Sequence, residues 1–70
     1  MTSRETIGLT AGRIWTYLNE RGAFTEVLRV KMDLKLTNTE LYLALGWLGR
    51  EEKVEFSADG PTLQVRLTTA

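Results

Sequence analysis

The sequence has no cysteine and no histidine among its 70 residues. Without cysteine there is no disulfide framework. Without either residue, the usual nucleophile, neutral-pH base and soft metal ligands are missing. Charge of one sign is also lacking, because nine Lys/Arg balance nine Asp/Glu. DNA-binding domains usually carry a basic excess, since neutralising phosphates dominates their affinity. No long apolar run occurs: the longest, Leu41 to Gly49, is far too short to span a bilayer. The opening stretch MTSRETIGLTAG lacks the apolar segment of a signal peptide. A cytoplasmic location is therefore expected.

Chemistry is equally sparse. No carboxylate pair is placed by spacing at an evident pocket, and Ser3 and Ser57 have no candidate base. Gly46 and Gly49 fall inside a helical pattern rather than in a phosphate-cradling loop. The expectation is a chain that is not an enzyme, with no cofactor, no metal and no small-molecule substrate. What is present is an apolar fraction of 43% and a charged fraction of 26%, the make-up of a globular domain. Seventy residues form one domain, and a core this small is marginal alone. Good packing or self-association must supply the rest.

Residues 1–6 are polar and are expected to be disordered. TAGRIWTYLNERG then reads as a first helix, with Thr10 as N-cap and Gly22 as C-cap. Ala11, Ile14, Trp15 and Leu18 form its apolar stripe. AFTEVLRVKMDLKL reads as a second helix capped by Thr25, with a short strand near Phe24 before it. Its inward stripe is Val27, Val30 and Leu34, with Leu28 and Met32 as a rival, so its orientation stays open.

The third helix has the clearest start. Thr37 and Glu40 fit a capping box, and Leu36 and Leu41 fit the hydrophobic staple. After residue 52 the period changes to two. Val54, Phe56 and Ala58 alternate with polar residues, and so do Leu63, Val65 and Leu67. Asp59-Gly60 lies between them, the dipeptide that hairpin turns favour, with Pro61 directly after. The order of three helices and a two-stranded wing predicts a mainly α, winged helix-turn-helix fold.

Residues 44–53, ALGWLGREEK, resemble the signature A-L-G-W-L-x-R-E-x-K of a small bacterial winged helix-turn-helix domain family of unknown function. The resemblance runs from GLTAGRIWTYLNERG through the wing. It implies the fold, and for function only the general habit of winged helices, which mostly bind DNA and in some cases bind protein alone.

At about 100° per residue, Leu41, Ala44, Leu45 and Leu48 share one stripe of the third helix. The remaining surface holds Thr39, Glu40, Tyr42, Leu43, Gly46, Trp47 and Arg50. A base-reading helix needs hydrogen-bonding side chains there, and Arg50 alone is a strong guanine reader. Tyr42, Leu43, Gly46 and Trp47, with Trp15, are therefore the candidates for a protein interface, including a homodimer. The blander fate is that Trp47 folds back on the first helix or the hairpin, and that Tyr42 packs on the second helix. The alternative function is a DNA-binding regulator, with Thr39 and Arg50 at the groove and Arg29, Lys31 and Lys35 holding phosphates. Glu26 and Asp33 dilute that basic group, and the wing tip carries no basic residue.

Overall fold

The computed structural model describes residues 3–68. In chain order the elements are α1 (Arg4–Arg21), β1 (Thr25–Glu26), α2 (Val27–Leu34), α3 (Asn38–Arg50), β2 (Val54–Ser57) and β3 (Gln64–Leu67). The three strands form an antiparallel sheet in the order β1-β3-β2. This is the winged helix-turn-helix arrangement that the sequence predicts.

The first helix begins earlier than the sequence reading places it. Ser3, not Thr10, is the N-cap: its Oγ accepts from the Thr6 N–H. Residues 4–6 are thus helical rather than disordered, and Met1 and Thr2 lie outside the described residues. Thr10 is buried inside the helix. Gly22 ends it as expected, at φ 67°, with its N–H donating to the Leu18 carbonyl.

Thr25 is likewise not a cap. It belongs to β1 opposite Val65, and its hydroxyl donates to the Ala23 carbonyl and accepts from Arg21 Nε. Glu26 takes the N-cap position of α2 without a side-chain bond. The open orientation of α2 resolves to Val27 and Val30 inward, with Leu34 partly buried, while Leu28 and Met32 face out. Across the helix pair, Arg13 donates to the Leu34 carbonyl, and Tyr17 donates to Asp33. Asp33 in turn pairs with Arg29 at 3.2 Å.

The capping box of α3 is complete. Thr37 Oγ1 accepts from the Glu40 N–H, and Glu40 Oε1 accepts from the Thr37 N–H. That backbone bond holds the Glu40 carboxyl below its ordinary value. A depressed carboxylate stabilises the fold above its unfolded pKa and loses that effect as pH falls through the folded one. Glu40→Gln is therefore expected to show a shallower acid limb than the parent below about pH 4.5 in thermal melts.

Both α2 and α3 end with non-glycine residues in the left-handed region, Lys35 at φ 57° and Glu52 at φ 58°. After α2, the Lys35 and Leu36 amides donate to Met32 and Lys31; after α3, the Glu52 and Lys53 amides donate to Gly49 and Leu48. This is the paired bonding that normally selects glycine. Lys35→Gly and Glu52→Gly are each expected to stabilise the protein, by roughly 0.5–1 kcal/mol, once strain relief is offset by the added unfolded-state entropy. Urea unfolding of each variant checks this.

The core joins Ile14 and Leu18 of α1, Val27 and Val30 of α2, Leu41, Ala44, Leu45 and Leu48 of α3, and Val54 and Val65 of the sheet. Leu36, the staple partner of Leu41, is buried too. Two residues on the apolar side of the wing's alternation are not. Phe56 is 43% exposed and Leu63 39%: Phe56 stands on the edge strand opposite the buried Val65, and Leu63 precedes β3 in the wing loop. Phe56 still rests on α3, where Gly49 leaves room for its ring.

The Asp-Gly pair does not make a tight two-residue turn. Ser57 pairs with Gln64, so residues 58–63 form a longer loop, and Gly60 does not adopt positive φ. Thr68 N–H donates to the Lys53 carbonyl at 2.9 Å. This register turns the backbone groups of Glu55 and Ser57 toward β3 and those of Val54 and Phe56 toward the open rim of the sheet. No helix among the described residues is long and apolar enough to cross a membrane.

Candidate interaction surface

The exposed side of α3 has a summit and two shoulders. Thr39, Leu43, Gly46 and Arg50 stand at the summit, roughly opposite the buried stripe at the 3.6-residue period. Tyr42 and Trp47 each lie only about 60° outside that stripe, on opposite sides. What packs beside each shoulder therefore decides its fate.

On one shoulder, Trp47 meets α1. Its Cζ2 lies 3.9 Å from where a Cβ would stand on Gly8, and the residue is partly buried against the core. A shallow groove of about 400 Å³ runs between α1 and α3, lined by Ala11, Gly12, Trp15, Trp47, Leu48 and Lys53 among others. Trp15, read from sequence as part of the inward stripe, is 40% exposed and forms the groove's other aromatic wall. Beyond Trp47, a second hollow is lined by Arg4, Arg50 and Glu51.

On the other shoulder, Tyr42 is 53% exposed. It opens onto a smaller cleft of about 230 Å³ between α2, α3 and the wing loop, with Leu28, Pro61 and Leu63 around it and Glu26 at its edge. Leu28, Pro61 and Leu63 are the residues that sequence reasoning did not associate with a surface. Leu28 appeared only as a rival core residue, and the wing loop gave no sign that it would reach helix 2. Leu43 is 43% exposed at the summit.

Thus the five interface candidates do not form one patch. Trp15 and Trp47 share the α1–α3 groove, Tyr42 faces the α2–wing cleft, and Leu43 and Gly46 lie between them. Nothing stands within 4 Å of a Cβ position on Gly46. A helix-interior glycine costs about 1 kcal/mol against alanine, and no close contact among the described residues requires this one.

The nucleic-acid candidates are also dispersed. Arg29 is engaged with Asp33, which pushes its pKa up. Lys31 and Lys35 make no ion pair among the described residues, but they sit on α2 and its terminal turn, while Arg50 closes the far end of α3. Glu40, at the start of the helix, is committed to the capping box rather than presented to a ligand. Among the described residues no group of acidic side chains is arranged to hold a metal ion.

Comparison with known proteins agrees with the architecture. No curated protein matches the chain. A solution NMR structure of a protein from Bacteroides thetaiotaomicron superposes with a TM-score of 0.80 at 27% identity, over 94% of this chain and 79% of that one. A family model described as a winged helix-turn-helix domain (DUF2582) matches residues 1–67. With its helices, capping box and wing in place, the chain belongs to that winged helix-turn-helix domain family.

Proposed function

We propose that the chain is a non-enzymatic, cytoplasmic interaction module that binds another protein, or a second copy of itself, through the outer side of α3. The observation that carries this reading is the chemistry of the helix that would enter a DNA groove. Beside Asn38, Thr39 and Arg50, its exposed middle holds Tyr42, Leu43 and Gly46, where a base-reading helix would place more amide and basic side chains. Solvent-facing aromatic and aliphatic groups collected around one helix mark association sites, and aromatic anchors dominate interface energies. The lack of a basic excess fits the same reading.

Sedimentation and NMR relaxation across a concentration series test the homomeric form. Concentration-dependent broadening confined to α3 supports it, and a monomer at the highest concentration removes it. The second reading, a DNA-binding regulator, is favoured by one observation: among the described residues, Lys31 and Lys35 stand without ion-pair partners on α2 and its terminal turn. Titration of duplex DNA at low and moderate salt separates the two. A phosphate-binding domain must lose affinity steeply with salt, and the protein-binding reading requires no saturable DNA binding at low salt.

A further inference from the structure

We infer that the α1–α3 groove receives an acidic segment of a partner protein, anchored by an aliphatic or aromatic side chain placed between Trp15 and Trp47. The inference rests on the reading of the chain as an interaction module and specifies which surface serves it and for what chemistry. Four of the arginines already have work inside the chain: Arg13 donates to Leu34, Arg21 to Thr25, Arg29 to Asp33 and Arg66 to Glu55. Three other basic side chains gather around Trp47. Lys53 lines the groove, and Arg4 and Arg50 line the hollow on the far side of the ring. None of the three forms a salt bridge among the described residues.

The groove itself is apolar, with Ala11, Leu48 and the two indole rings as its walls. Gly12 keeps it open, since nothing lies within 4 Å of a Cβ position there. A complementary ligand is therefore apolar where it meets the rings and anionic at its edges. Unpaired cations beside an apolar aromatic groove give such a ligand both register and faster encounter. A nucleic-acid strand fits less well. Its evenly spaced phosphates would leave the apolar walls unmatched, whereas a peptide can place its charges by the basic groups, away from Glu51, and an apolar side chain between the rings.

The test is selection of a random dodecapeptide phage library against the folded chain, followed by affinity measurement of the synthesised winners. Enriched peptides are expected to carry several Asp or Glu around one aliphatic or aromatic residue. Their affinity is expected to fall about tenfold or more in Lys53→Glu/Arg50→Glu and in Gly12→Leu, which fills open space and leaves the core untouched. Each variant's circular dichroism and unfolding midpoint are recorded alongside, and Arg29→Glu serves as a charge control outside the groove, expected to retain affinity. No enrichment, neutral or basic winners, or affinity unchanged in both groove variants would overturn the assignment. Winners that lose affinity in Tyr42→Ala but not in the groove variants overturn it while leaving the interaction module intact. Saturable, salt-sensitive binding of oligothymidylate at the groove would overturn both.

Discussion

Leu41→Ala is expected to destabilise the protein by about 3 kcal/mol. Leu41 is fully buried and is the first core residue of α3, one turn after the capping box and beside its staple partner Leu36. Truncation removes its transfer free energy and leaves a cavity that three packed helices and a sheet cannot fill without moving. A domain of this length holds roughly 4–10 kcal/mol in total. One side chain therefore accounts for a large share of it, and the variant should unfold at a clearly lower temperature and urea concentration than the parent. With a urea slope of about 1 kcal/mol per molar, the midpoint is expected to fall by about 3 M. A loss below about 1 kcal/mol would mean that α3 does not seat on the core through this residue.

Trp47→Ala is expected to cost about 2 kcal/mol, below the 3–5 kcal/mol typical of a fully buried aromatic because the ring is only partly covered. The comparison with Tyr42→Ala gives the result its meaning. Tyr42 sits at the same angular distance from the core stripe but is half exposed, so its truncation is expected to stay within about 0.5 kcal/mol of the parent. Trp47→Phe should recover part of the loss by keeping ring contact with Gly8. Urea unfolding followed by far-ultraviolet circular dichroism measures all three. Equal losses at the two positions would show that Tyr42 belongs to the interior and would remove it from the exposed side of α3.

These two shoulders also show where sequence reasoning ends. A helical wheel reports how far a residue stands from the buried stripe, and it treats Tyr42 and Trp47 alike. It does not report that α1 lies along one side and α2 with the wing along the other, because that depends on contacts distant in the chain. Helix 3 itself was legible, since its cap, staple and stripe are all local and all agree. The start of α1 was not. Thr10 is an acceptable cap by type, but Ser3 holds the role through its bond from the Thr6 amide, and the added turns meet α3 where Gly8 lies beneath Trp47. The wing strands were read correctly from their alternation, whereas the depth of burial along them was not. Alternation assigns a face, but it does not say that β2 is the edge strand, which leaves Phe56 half open opposite the buried Val65, or that Leu63 falls in the wing loop.

The open rim of β2 has a consequence for how the protein behaves when it is concentrated or warmed. Val54 and Phe56 point their amides and carbonyls away from β3, and a neighbouring chain can dock there by adding a strand. In the folded state the rim is short, and Lys53 and Glu55 place charge along it. Loosening of the helices uncovers the rest of the VEF segment, and cross-β stacking then has a template. Precipitates formed on heating are expected to nucleate at this strand, and a lysine in place of Phe56 would delay them.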